Sequence, residues 1–138
     1  MKEKIKVLAV CSKGLNRSKY LAEYLGRKGY KTRYGGAEGF EDPNMKWNPI
    51  SQEDVDWADI IITVRKRLKD VLQNKFNIGK NKFIEINVTD SKRLIPEALA
   101  HLKELDYISF QKKWTYPQLR KAIKPFLNGN DIIAQAQS

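Results

Sequence analysis

From Cys11 to Ser18 the chain reads Cys11-Ser12-Lys13-Gly14-Leu15-Asn16-Arg17-Ser18, a thiol and a guanidinium joined by a short segment with a glycine inside it. These residue types at this spacing suit one chemistry, the handling of a phosphate ester. Successive backbone N–H groups in a tight loop converge on an anion, and a helix that follows adds the partial positive charge of its N-terminus. Gly14 permits a left-handed turn that other residues resist. Arg17 offers two parallel N–H donors, which match a pair of phosphate oxygens as the point charge of a lysine does not. The same field favours the thiolate form of Cys11, a ready nucleophile, and Ser18 is placed to donate its hydroxyl to that sulfur. The expected phosphate-binding set is therefore Ser12, Lys13, Gly14, Leu15, Asn16 and Arg17, with Cys11 and Ser18 as reacting and supporting groups. The competing reading, a half-buried structural cysteine beside a capping serine, leaves Gly14 and Arg17 without a use.

Departure of a phenolate or alkoxide requires a proton, and an aspartate or glutamate is expected to supply it, because His101, the only histidine, falls in a helical segment. Asp59 lies at the entry end of its strand and belongs at the far edge of a sheet. Asp42 and Asp90 follow the second and fourth strands and belong at the same edge as the Cys11 loop, so position alone leaves both open. Arg65-Lys66-Arg67 opens a helix, the electrostatically unfavourable end for cations. Arg65 and Arg67 are thus candidates for a second contact to an anionic substrate, within a basic segment that runs to Lys69. Phe40 and Trp47, with Trp114 or Tyr116, are candidates to wall a pocket and stack on an aromatic leaving group. Trp57 is expected in the core.

These residues need a frame that brings strand ends and helix starts together. Ile5 to Val10 is a short apolar run with β-branched members, and Ser18 to Lys28 carries Tyr20, Leu21, Tyr24 and Leu25 at helical spacing before Gly29. The opening is therefore strand, loop, helix. Lys31 to Tyr34 is expected as a second strand, followed by a long loop over residues 37–50. Ser51 with Asp54 marks a capped helix start, and Asp59 to Val64 reads as a strand buried on both faces. A helix over Arg65 to Lys75, a strand over Lys82 to Val88 and helices over Pro96 to Leu105 and Tyr116 to Leu127 complete the pattern. Strands alternating with helices predict an α/β fold, a four-stranded parallel sheet with helices on both faces and right-handed crossovers. Ligands in such sheets bind beyond the carboxyl ends of the strands where the strand order reverses, which singles out the loop of residues 11–17.

The bulk properties agree. With 138 residues the expectation is one domain over residues 1–128 and a tail over 129–138. Apolar runs are too short to span a bilayer, and Lys2, Lys4 and Lys6 ahead of them are read as strand rather than secretory signal. A single cysteine excludes a disulfide framework and a multi-cysteine zinc site, and fits a reducing, cytoplasmic setting. The net charge of +10 predicts attraction to anions: phosphorylated proteins, free oxyanions, nucleotides or nucleic acid. Neither a metal nor a cofactor is required by the chemistry outlined above.

The Cys11–Ser18 loop resembles the Cx5R[ST] phosphate loop of the low-molecular-weight protein tyrosine phosphatases, which also follows the first strand. Tyr34-Gly35-Gly36-Ala37, Trp57-Ala58-Asp59-Ile60-Ile61 and the late Asp90 extend the likeness over about residues 5–92, and the remainder is similar to a compact bacterial branch of the family. Residues 106–116 stand as a candidate insertion. The resemblance implies a three-layer phosphotyrosine phosphatase I-like fold with strand order 2-1-3-4, Cys11 as nucleophile, Arg17 as phosphate ligand and Asp90 as general acid. It implies hydrolysis of phosphate monoesters, of phosphotyrosine in proteins above all, through a phosphocysteine. Three positions depart from the family pattern: Gly14 replaces a left-handed asparagine, Asn16 a second cysteine, and Ser91 the proline that follows the late aspartate. Two other functions share parts of this pattern, a cysteine phosphocarrier of the sugar phosphotransferase type and a non-catalytic phosphate- or nucleic-acid-binding module. The phosphocarrier loops generally lack the arginine. A thiol-coupled arsenate reductase would need partner cysteines, which this sequence does not contain.

Overall fold

A computed structural model describes residues 4–79 and 82–127. Its centre is a parallel sheet of β1 (Lys6–Cys11), β2 (Lys31–Gly36), β3 (Ile60–Thr63) and β4 (Lys82–Glu85), in the order β2-β1-β3-β4. This is the order that the resemblance implies. β1 lies in the middle, with Val7 paired to Thr32 on one side and Ile60 on the other. Val7 to Val10 and Ile60 to Ile62 are wholly buried, which is why these strands read as unbroken apolar runs rather than alternating ones.

Between the strands run α1 (Arg17–Arg27), α2 (Gln52–Trp57) and α3 (Arg67–Lys75). The step from β1 to β2 goes one way across the sheet and the step from β2 to β3 goes back over β1. Right-handed crossovers then place α1 on one face and α2 and α3 on the other. α1 buries Leu21, Ala22 and Leu25, and α3 buries Leu68 and Leu72. α2 starts with the anticipated capping box, in which the Ser51 hydroxyl accepts from the Asp54 N–H and the Asp54 carboxylate accepts from the Ser51 N–H. Among the described residues, no helix is long and apolar enough to cross a membrane.

Several boundaries differ from the sequence reading. β2 continues through Gly35 and Gly36, because Ile50 and the Cys11 loop press against it where side chains would otherwise stand. β4 ends at Glu85, although the Ile86 and Val88 N–H groups still donate to the Thr63 and Val64 carbonyls at 3.0 and 2.8 Å. Residues Glu97–Glu104 form 3-10 turns broken at Leu99, not an α-helix. The candidate insertion at 106–116 is helical: α4 (Tyr107–Phe110), one π-helical stretch (Gln111–Thr115) and α5 (Tyr116–Ile123) run on without interruption into a final 3-10 turn (Lys124–Leu127). This long helical segment buries Phe110, Leu119 and Ile123, and α5 lies against α1. The tail expected over residues 129–138 lies outside the described residues.

Candidate active site

The loop of residues 11–16 leaves the carboxyl end of β1 and turns into α1, at the point where the strand order reverses. Its shape is fixed from outside. Gly14 adopts a φ of 74°, in the left-handed region, and a Cβ added there would collide with Asn48 O, the Gly36 nitrogen and the Gly35 carbonyl carbon. The Asn48 backbone binds both partners, donating to Lys13 O at 2.9 Å and accepting from the Gly36 N–H at 2.7 Å. Residues 37–50, a long loop in the sequence, therefore return to clamp the Cys11 loop onto β2.

Cys11 is the one cysteine and is nearly buried. Its Sγ receives the Gly14 N–H at 3.2 Å and lies 3.1 Å from Ser18 Oγ, which is itself buried. An amide N–H and a hydroxyl thus both contact one sulfur. α1 begins with neither a side-chain cap nor an acidic residue in its first turn. Asn16, at the capping position, instead sends its side chain across to other elements: its Nδ2 donates to Asp90 Oδ2 at 3.0 Å and to Gln111 Oε1 at 2.8 Å, and its Oδ1 accepts from the Tyr116 hydroxyl at 2.7 Å.

Arg17, 8% exposed, is held by Nη1 donating to Val88 O at 2.7 Å, with its Nε 3.5 Å from Asp90 Oδ2. A cavity of about 280 Å³ is lined by Cys11, Ser12, Lys13, Leu15, Asn16, Arg17, Asp90 and Tyr107. Residues from β1, the loop, α1, the segment after β4 and the start of α4 thus share one hollow. Leu15, 52% exposed, and Tyr107 give it apolar and aromatic surface. Partial burial, then the charges of Asp90 and Cys11, raise the Tyr107 hydroxyl above its ordinary pKa, against the opposing charge of Arg17.

The remaining sequence candidates lie elsewhere. Asp42 is exposed, and its Oδ1 accepts from the Asn44 N–H at 2.9 Å, a local turn contact away from the cavity lining. Phe40 carries Lys13 Nζ over its ring at 4.9 Å, and the same ammonium donates to Gly39 O at 2.6 Å. Trp47 stands beside Gly39, with Lys75 Nζ 6.0 Å from its ring. Arg67 pairs with Glu38 at 2.7 Å, and Glu38 also accepts from Ser12 Oγ at 2.9 Å. Burial disfavours the Glu38 carboxylate, but hydrogen bonds from Arg67 and Ser12 and the charges of Arg67 and Lys13 outweigh it, holding the pKa below its ordinary 4.5. Phe40, Trp47, Arg65 and Arg67 are absent from the cavity lining. His101 is exposed in the 3-10 segment and Trp57 is half-buried under Arg33.

Sequence reasoning did not single out Glu38, Asn48, Tyr107 or Gln111, and it offered Tyr116 only as a pocket wall. The charged pair Glu38 and Arg67 carried no spacing signal. Gln111 and Tyr116 sit in the segment read as an insertion.

Solved structures with the same architecture include a mutant of the YwlE arginine phosphatase, a Bacillus subtilis protein, with a phosphorylated active-site serine. It is 13% identical over 91% of this chain and 98% of that one, at a TM-score of 0.56. The low-molecular-weight phosphotyrosine phosphatase VcLMWPTP-2 from Vibrio cholerae O395 is 15% identical over 91% and 99%, also at 0.56. The low-molecular-weight protein tyrosine phosphatase from T. tengcongensis is 16% identical over 88% and 99%, at 0.54. No family model matches the sequence, and neither does any curated protein. The chain thus has the three-layer α/β fold of the low-molecular-weight tyrosine phosphatase structures.

Proposed function

We propose that this protein is a cysteine-dependent phosphatase of the low-molecular-weight tyrosine phosphatase type, acting on phosphate monoesters and on aryl esters such as phosphotyrosine in particular. One observation carries the reading: the Cys11 sulfur, contacted by the Gly14 amide and Ser18, lines the same small cavity as Arg17 and Asp90. The uncapped start of α1 supports it, since a bound oxyanion satisfies those amides. Support also comes from the fold relative whose active-site serine carries phosphate.

In this mechanism the Cys11 thiolate attacks phosphorus in line with the ester oxygen. The S–P bond forms as the P–O bond breaks, and the Asp90 carboxyl proton passes to the departing oxygen. Water then attacks the phosphocysteine, the Asp90 carboxylate takes a proton from that water, and the S–P bond breaks to release inorganic phosphate. Arg17 and the loop amides stabilise the equatorial oxygens in both steps, while Ser18 donates to the sulfur as it leaves. Leu15 and Tyr107 favour an aromatic leaving group. The free thiol and the basic charge fit a reducing cytoplasm and an anionic protein substrate.

Steady-state hydrolysis of an aryl phosphate tests the reading. Cys11→Ser is expected to abolish turnover, and Asp90→Asn to lower it by about 10²–10⁴-fold, the usual contribution of a general acid. Phosphoarginine offered beside phosphotyrosine separates the two substrate classes represented among the fold relatives. Full activity in Cys11→Ser, or phosphate passed to a sugar-transport partner without hydrolysis, would overturn the proposal.

A further inference from the structure

The side chain of Asn16 is held at both ends by residues from the long C-terminal helical segment. Gln111, 2% exposed, accepts one amide hydrogen, the Tyr116 hydroxyl fills the carbonyl oxygen, and the other amide hydrogen goes to Asp90 Oδ2. Neither Gln111 nor Tyr116 lines the cavity. Tyr116 is fixed in turn by stacking on Tyr20, centroids 4.0 Å apart and rings 3° from parallel. The π-helical stretch from Gln111 to Thr115 lies between these two partners and sets the spacing at which both meet the amide.

The direction of each bond matters. With Tyr116 donating to Oδ1 and Gln111 accepting from Nδ2, both ends of the Asn16 amide are engaged in the orientation that turns its nitrogen to Asp90, and half a turn would set Oδ1 against the Asp90 carboxylate and lose the bond to Gln111 Oε1. Both groups that engage Asp90, the Asn16 amide and Arg17 Nε, approach Oδ2. Among the described residues no hydrogen bond reaches Oδ1, so that oxygen is the one available to exchange a proton. Partial burial, then its neighbours Tyr107, Glu23, Tyr20 and Asp90, raise the Tyr116 pKa, so the hydroxyl remains a donor across the neutral range.

Resting on the phosphatase reading above, we propose that Gln111 and Tyr116 are positioning residues for the general acid: they lock the Asn16 amide, which pins Asp90 by Oδ2 and reserves Oδ1 for proton transfer to the leaving oxygen. The segment that reads as an insertion is thus part of the proton-transfer apparatus. Its effect reaches the reaction only through Asn16 and Asp90.

A positioning role of this kind has a signature that a merely structural one lacks, dependence on the leaving group. An ester with a very acidic phenol departs without a proton, whereas phenol itself needs one. The test compares kcat/KM, which reports only steps up to P–O cleavage, for phenyl phosphate and 2,4-dinitrophenyl phosphate. It uses the full-length protein and its Tyr116→Phe, Gln111→Met and Asp90→Asn variants. Tyr116→Phe keeps the stacked ring and removes one hydroxyl, and Gln111→Met keeps the shape and removes the acceptor. Phenyl phosphate is expected to suffer about 10–100-fold in both, part of the full general-acid effect, while dinitrophenyl phosphate stays within about threefold of wild type. Asp90→Asn should show the same selectivity, more strongly, and adding Tyr116→Phe to it should change nothing further.

Equal losses on both esters, or no loss on either, would overturn the proposal while leaving the phosphatase reading intact. Loss of the leaving-group selectivity in Asp90→Asn itself would overturn it as well. A wild-type protein inactive toward both esters would sink the phosphatase reading, and this proposal with it.

Discussion

Replacing Gly14 by alanine probes how the Cys11 loop obtains its shape. The new Cβ would fall within contact range of Asn48 O and the Gly36 nitrogen and 2.7 Å from the Gly35 carbonyl carbon, all of them backbone atoms that no rotamer change can move aside. Two costs add. An L-residue at a φ of 74° costs about 1–2 kcal/mol, and forcing a methyl into filled space costs about 1–3 kcal/mol more. The total, about 2–5 kcal/mol, is a large share of a stability of roughly 5–15 kcal/mol. At roughly 3–5 °C per kcal/mol for a chain of this length, Tm should fall by roughly 6–25 °C. Gly29 supplies the control, because its φ of 104° carries the backbone cost while its Cβ would meet nothing within 4 Å. Thermal unfolding followed by circular dichroism, run on Gly14→Ala and Gly29→Ala together, isolates the steric part. Gly14→Asn should recover part of the backbone cost but keep the steric one, since an asparagine accepts the left-handed backbone yet needs the same space. Calorimetric titration with inorganic phosphate should show weakened binding in the two Gly14 variants and unchanged binding in Gly29→Ala. Equal Tm losses at Gly14 and Gly29 would refute the packing argument.

Glu38 should make stability depend on acid. Its folded pKa is depressed, so its contribution is complete above the unfolded value near 4.5 and is lost as pH falls through the folded value. Denaturant unfolding should therefore find wild type more stable than Glu38→Gln by about 0.5–1 kcal/mol at neutral pH, with the gap closing below pH 4.5; a gap that persists into strong acid would contradict this. Arg17→Lys removes the donor to Val88 O and, on the proposed function, the two-pronged grip on phosphate. Affinity for inorganic phosphate should fall by about 10–100-fold by calorimetric titration, and an unchanged affinity would show that the guanidinium does not hold the anion.

The parallel sheet and the Cys11 loop were legible because each rests on local signals. The unbroken Ile and Val of β1 and β3, the Ser51 and Asp54 box, and a glycine between thiol and arginine need no knowledge of distant residues. The misses share the opposite property. Gln111 and Tyr116 are ordinary residues in a polar stretch, and their use depends on meeting Asn16 from 95 and 100 positions away. Asn48 works through its backbone, which no side-chain pattern reveals. The expected α-helix at residues 96–105 is a run of 3-10 turns broken at Leu99, and β4 lost its last residues although Ile86 and Val88 keep hydrogen bonds to the β3 side. Asp90 and Asp42 were equivalent by position along the chain; only three dimensions separate the one beside Arg17 from the one capping its own turn.

The bond from the Tyr116 hydroxyl to Asn16 has a bearing on how the molecule comes into being. Asn16 leaves the ribosome a hundred positions before the hydroxyl that steadies it. A growing chain therefore holds the loop of residues 11–16 well before the surroundings that fix Asn16 exist.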